Sequence, residues 1–220
     1  MYSSKQDGEM LLTLEEKVDP ENAALLVVDM QNDFCHLEGS LAKRGRDMTL
    51  GLQMAPRLVK LIEEARQAKV PVVFIRQTLS ESTTSPASRE RRLKRMPDEV
   101  ELPLQEDSWG AEYYEVAPQP GECVVTKHRY SAFIDTNLDL ILRSQGIKTL
   151  IMTGVATNVC VESTARDGFM KDYYVVFVGD CTAAERIEDH EATLRTMGVF
   201  FGEVVPSSEV IDAWRRIKQP

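Results

Sequence analysis

Six short apolar runs, each followed by a longer amphipathic one, constrain this chain more than any other feature. The runs are "AALLVVDM", "VPVVFIRQ", "ECVVTKH", "KTLIMTG", "YYVVFVGD" and "GEVVP". They are rich in β-branched residues and apolar on both faces, which is the pattern of strands buried on both sides. Between and after them lie "LGLQMAPRLVKLIEEARQAK", "DTNLDLILRSQG", "NVCVESTARDGFMKDY", "AAERIEDHEATLRTMG" and "SSEVIDAWRRIK". These read as helices. Gly146 and Gly198 fit positions just past a helix end, and Ser207 or Ser208 fits an N-cap. Strands alternating with helices predict an α/β fold: a parallel sheet covered by helices on both faces, in three layers.

With 220 residues, the chain is most simply one domain. Residues 1–22 read as an N-terminal extension and 23–220 as the domain. No internal repeat or low-complexity tract interrupts it. The segment from Thr78 to Ala117 is a long connection rich in charge and turn residues, and long connections are commonly functional or mobile. Its basic run "RERRLKR" (Arg89 to Arg95) reads as a solvated helical face, with an anion site as the alternative.

Charge and cysteine usage narrow the function. Lysine and arginine number 26 against 35 acidic residues, a net charge of -9. Non-specific nucleic-acid binding needs a positive field and is disfavoured. The first twenty residues carry charges throughout and lack a signal-peptide core. No apolar run approaches a membrane span. The expected setting is the cytoplasm, with no nucleic-acid or membrane partner. Cys35, Cys123, Cys160 and Cys181 form no C-x-x-C pair and read as free thiols. His36, His128 and His190 stand apart without metal-ligand spacing, so no metal and no cofactor is expected.

Ligands of an open parallel sheet bind beyond the carboxyl ends of its strands. The first strand ends at Asp29, the third at Lys127, and the fourth runs through Gly154 towards Cys160. Each residue alone has a plain structural reading: a cap, a surface lysine, a buried thiol. Together they offer a carboxylate to move a proton, an ammonium to support negative charge, and a nucleophile at the start of a helix. No histidine stands near as the thiol's partner; His128 adjoins Lys127 but would point the other way along a strand.

The strings "VVDMQNDF", "KHRYSAF" and "TGVATNVCVESTARDGF", in that order, resemble the isochorismatase-like cysteine hydrolase family. The resemblance runs from about Ala23 to the C-terminus. It implies a six-stranded parallel sheet of order 3-2-1-4-5-6 and a catalytic triad at Asp29, Lys127 and Cys160. It also implies a cis peptide bond between Val155 and Ala156, with the Ala156 and Cys160 N–H groups forming an oxyanion hole. Family members are commonly oligomeric, so the resemblance implies a homodimer or homotetramer.

Among members, nicotinamidases add a metal site built from an Asp-x-His pair and a further histidine after the second strand. Here that region reads "FIRQTLSESTTSPASRERR" and has no histidine. The strings "RYSAF" and "ATNVCVESTARDGF", with "SWGAEYYEVAPQPGE" before the third strand, are similar to ureidoacrylate amidohydrolases. The resemblance thus implies a small-molecule substrate with a ureido or carbamoyl C–N bond. Alternatives are biuret, triuret or N-carbamoyl amide hydrolysis, nicotinamidase or isochorismatase activity, and a non-catalytic binding protein on the same fold. A nucleotide-dependent oxidoreductase would carry G-x-G-x-x-G after the first strand, where this chain has "DMQNDF".

Around the triad, Gln31 and Asn158 are candidates to hydrogen-bond a carbamoyl group, Asn158 being equally a helix cap. Arg76 is a candidate carboxylate ligand or a surface ion pair. Phe34, Tyr130, Phe133 and Phe201 are candidate pocket walls or core residues, and Tyr130 has a polar tip suited to a site.

Overall fold

The computed structural model describes residues 10–96 and 102–218. Its sheet has six parallel strands: β1 (Ala23–Val28), β2 (Val72–Gln77), β3 (Cys123–Lys127), β4 (Thr149–Val155), β5 (Tyr174–Ala183) and β6 (Glu203–Val205). The order is β3-β2-β1-β4-β5-β6. Every residue of β1 and β4 is buried, as two-sided burial of their apolar runs requires.

Nine helices are found among the described residues. They are α1 (Leu14–Val18), α2 (Asn32–Cys35), α3 (Ser40–Lys43), α4 (Thr49–Ala68), α5 (Pro86–Arg95), α6 (Leu138–Ser144), α7 (Glu162–Phe169), α8 (Ile187–Phe200) and α9 (Ser207–Ile217). One face of the sheet packs against α4 and α9. Leu58, Leu61, Ile62 and Ala65 recur at helical spacing there and meet Val210, Ile211 and Trp214. The other face buries Leu138, Leu142, Val161, Ala165 and Met197 from α6, the turn before α7, α7 itself and α8. None of the described helices is long and apolar enough to cross a membrane.

The described part of the first 22 residues packs on this domain. Thr13 and Glu16 form a capping box at the start of α1. The Trp214 indole donates to the Val18 carbonyl at 2.8 Å. Segment 78–117 holds α5, whose residues are almost all exposed, as a solvated helical face demands, and a 3₁₀ turn at Trp109–Ala111.

Three boundaries differ from the sequence pattern. Strand β5 runs on to Ala183, where a helix was expected to begin, because Thr182 and Ala183 pair with Gly154 and Val155 across a register shift. Gly198 lies inside α8. The glycine that the geometry demands is Gly202, whose Cβ would lie 2.1 Å from the Val175 carbonyl oxygen. Ser207 is the first residue of α9 rather than its cap; its hydroxyl donates to Asp180 at 2.8 Å while Pro206 occupies the cap position.

Candidate active site

The register of the sheet brings the site residues to one edge. Val28 pairs with both Ile75 and Gly154, and Gln77 pairs with Lys127. The residues that end β1, β2, β3 and β4 therefore lie side by side where the strands stop. Asp29 follows Val28 with a left-handed φ of 52°. Gly154 has φ 101°, and a Cβ there would lie 2.0 Å from the Val28 carbonyl oxygen. Only glycine permits β1 and β4 to close together at this point.

Lys127 ends the edge strand, yet it is fully buried. Its side chain reaches inward past β2, and Nζ lies 2.7 Å from Asp29 Oδ2. Nζ also donates to Gln77 Oε1 and to the Arg129 carbonyl, each at 3.1 Å. Cys160 is buried beside the pair, with Sγ 3.8 Å from Gln77 Oε1 and its thiol within hydrogen-bonding reach of Asp29. No donor meets either Asp29 oxygen in regular hydrogen-bond alignment, so charge and proximity hold this group together.

The turn bearing the thiol is a π-helical turn, Thr157–Val161, that leads into α7. The Thr164 hydroxyl fixes it from one side, donating to the Cys160 carbonyl at 2.7 Å and accepting from the Ala132 N–H at 3.0 Å. From the other side, Thr157 Oγ1 lies 2.9 Å from His190 Nδ1. The Val155–Ala156 peptide bond is cis.

Burial dominates the protonation states. It raises the Asp29 carboxyl above the ordinary aspartate value, against the pull of the Lys127 ammonium and the nearby Cys160 thiol. Burial alone would lower Lys127, but the Asp29 carboxylate, with the neighbouring Cys160 sulfur, outweighs it and holds the ammonium above the ordinary lysine value. Burial pushes the Cys160 thiol up to about 12, with Lys127 opposing. The sequence suggested a thiol stabilised as its anion by a helix start and an ammonium. In the folded chain burial instead favours the protonated sulfur, and it raises the proton affinity of the neighbouring carboxylate.

The remaining candidates divide. The amide of Gln31 is committed to the backbone: Oε1 accepts from the Gln77 N–H at 2.7 Å, and Nε2 donates to the carbonyls of Gln77 and Ala111 at 3.0 Å. Arg76 alternates away from Gln77, donates to Thr126 Oγ1 at 3.2 Å and lies 3.7 Å from Glu106; the structure does not bring it to the thiol. Asn158 is exposed, and the cap position of its turn belongs to Ala156, with no side-chain cap. Tyr130 is half exposed on the loop after β3, and Phe34 packs on the α4 face. The four aromatics do not wall one pocket. Phe133 stacks on Tyr173, and Phe201 contacts Phe169 and Arg166, because α8 delivers Phe201 to the opposite edge of the sheet. A depression of about 700 Å³ there is lined by Lys17, Tyr173, Tyr174, Phe200, Phe201 and Glu203; Lys17 and Glu203 pair with each other, and no cysteine lines it.

Sequence reasoning passed over Gln77. Its signal was its place at the end of β2, in line with Lys127. Among the described residues, no three His, Cys, Asp or Glu side chains converge as metal ligands.

Comparison with known proteins identifies the family and agrees with the fold. The family described as the isochorismatase domain matches residues 23–209. The chain is 36% identical over 216 residues to a ureidoacrylate amidohydrolase RutB of Pseudomonas syringae pv. syringae (strain B728a), covering 93% of this chain and 88% of that protein. It is 37% identical over 206 residues to the protein of the same name from Pantoea ananatis (strain LMG 20103), covering 88% and 82%. Among solved structures, a cysteine hydrolase from Pseudomonas syringae pv. phaseolicola 1448A superposes with a TM-score of 0.80 at 29% identity, covering 91% of this chain and 95% of that one.

Proposed function

Because the chain belongs to the isochorismatase family and is a hydrolase of amide C–N bonds, we propose that it cleaves a ureido or carbamoyl bond of a small, ureidoacrylate-like molecule, with Cys160 as nucleophile. The observation that carries this reading is the sealed Asp29–Lys127 ion pair against the Cys160 thiol.

In the proposed mechanism, Asp29 takes the thiol proton as sulfur attacks the carbonyl carbon. A C–S bond forms, and the carbonyl electron pair moves onto oxygen. The N–H groups of Ala156 and Cys160 receive that oxyanion, and such donors are worth about 3–4 kcal/mol of the barrier each. Lys127 holds Asp29 in place and offsets the negative charge gathering around the carboxylate and sulfur. Collapse restores the carbonyl and breaks the C–N bond, and the departing amine or ammonia carries away the proton held by Asp29. Water then adds to the thioester or thiocarbamate and gives a proton to Asp29, which returns it to sulfur as the C–S bond breaks.

The raised proton affinity of Asp29 supports this role, since a weakly basic carboxylate would draw poorly on a thiol pushed up to about 12. The names of the RutB relatives support the ureido substrate class. The test is product release, as ammonia or amine, over ureidoacrylate, N-carbamoyl amino acids, biuret, triuret and nicotinamide, with Cys160→Ala as control. Ureido compounds are expected to lead. Faster turnover of nicotinamide than of every ureido compound would overturn the substrate assignment.

A further inference from the structure

Gln77 ends β2 with only 7% of its surface exposed. Its Oε1 accepts from the Lys127 ammonium at 3.1 Å and lies 3.8 Å from Cys160 Sγ. An ammonium can only donate, so the oxygen of the amide must face it and the nitrogen must face away. The backbone of Gln77 is locked separately: the Gln31 amide bonds both its N–H and its carbonyl. The side chain is therefore aimed by two independent sets of contacts. Its Nε2 donates to no described group, and it is not among the buried polar atoms cut off from solvent. The nitrogen borders open space, on the side chain whose oxygen touches the nucleophile.

We infer that Gln77 is a specificity-determining residue whose Nε2 donates to a second acceptor oxygen of the substrate, a carbonyl or carboxylate other than the scissile one. This rests on the reading that Cys160 attacks a ureido carbonyl. The scissile oxygen has its proposed donors at Ala156 and Cys160, which follow β4. Gln77 comes from β2, and β1 lies between those two strands. The two sets of donors thus approach the thiol from different sides, and one carbonyl oxygen cannot use both. A substrate carrying two oxygens on either side of a ureido nitrogen can. Biuret-like and ureidoacrylate-like compounds have that second oxygen; simple alkylureas do not. A donor that a bound compound covers and leaves unpaired penalises that compound.

The test compares kcat/KM for biuret and ureidoacrylate with that for n-propylurea and allylurea. It uses the wild type, Gln77→Met, which removes donor and acceptor, and Gln77→Glu, which keeps an acceptor for Lys127 but loses the donor. Circular dichroism checks that each variant folds. The wild type is expected to prefer the two-oxygen compounds roughly tenfold or more. Both variants should lose most of that preference: whatever common loss follows from disturbing Lys127, KM for the two-oxygen compounds should rise well beyond that for the alkylureas. A folded variant of either kind that keeps the wild-type ratio overturns the role of Gln77, as does an equal loss on all four compounds. A wild type inactive on all four overturns the substrate reading itself, which separates the two failures.

Discussion

Lys127 Nζ and Asp29 Oδ2 lie 2.7 Å apart, with the two side chains 0% and 1% exposed. A pair this deep is costly to break from one side, because the surviving charge stays buried without a partner. Lys127→Met and Asp29→Asn are each expected to destabilise the fold by about 3–5 kcal/mol. The double variant should be more stable than the sum of the two losses implies. Urea denaturation of the four proteins measures this, and strictly additive losses would show that the residues are not coupled.

Asp29→Asn should also lower kcat by about 10²–10⁴-fold, since an amide cannot take the thiol proton. Steady-state assays on whichever ureido compound the wild type turns over give the comparison. A fall of less than tenfold would remove Asp29 from the role of base.

Cys160→Ala is expected to abolish turnover and leave the fold in place, because alanine fits within the volume of the buried thiol. Thermal melting should place it close to the wild type. Mass spectrometry of wild type quenched during turnover should find an acyl or carbamoyl adduct on Cys160. Residual activity at a tenth of the wild-type rate would rule out a covalent path through this sulfur.

Stability should fall in alkali. Cys35, Cys160 and Cys181 are pushed by burial from an ordinary value of 9.0 up to about 12. The unfolded chain gives up these protons near pH 9, whereas the folded chain keeps them until about 12. Between those values the folded state binds more protons, so stability present below pH 9 is lost as the pH climbs. The urea midpoint measured in steps from pH 8 to pH 11 should decline, and a flat or rising midpoint would contradict the burial of these thiols.

Gly154→Ala should disrupt the site from beneath. Its Cβ would lie 2.0 Å from the Val28 carbonyl oxygen, at a φ of 101° that side chains rarely adopt. A loss of more than about 2 kcal/mol is expected, together with loss of turnover, since Asp29 and the thiol turn hang from the two strands forced apart. A variant that melts and reacts like the wild type would show that the close approach is dispensable.

Activity should survive exhaustive chelation. His36 Nδ1 accepts from the Glu38 N–H, His128 Nδ1 meets Thr78 and His190 Nδ1 meets Thr157, so the histidines lie at three separate places, and no group of three ligands converges among the described residues. Loss of turnover with EDTA, restored by zinc or iron, would contradict this.

The strand runs were legible in the sequence because two-sided burial leaves an uninterrupted apolar signature, and with them came the edge where Asp29, Lys127 and Cys160 meet. The surroundings of the thiol were far less legible. Gln31 and Gln77 are both glutamines at or just beyond strand ends, yet one is consumed by backbone bonds and the other keeps a free nitrogen. That difference depends on where Ala111 and Lys127 arrive, from segments 80 and 50 residues away. Phe201 misled for a similar reason: its aromatic character was plain, but the edge to which it goes follows from the direction of α8. The end of β5 was hidden because Thr182 and Ala183 gain a strand partner only through the shift beside Gly154.

The tie between Trp214 and Val18 has a practical side. Arg216 pairs with Glu15, and the Leu11 N–H meets the Tyr174 hydroxyl at the start of β5. Both ends of the described chain are thereby moored where the strands begin, a strand length of about 20 Å from the edge that holds the thiol. A fluorophore or an immobilisation handle placed at Lys218 or beside Leu11 is carried on the side away from the Cys160 thiol. Kinetics on tagged or surface-bound protein should therefore match those of the bare chain.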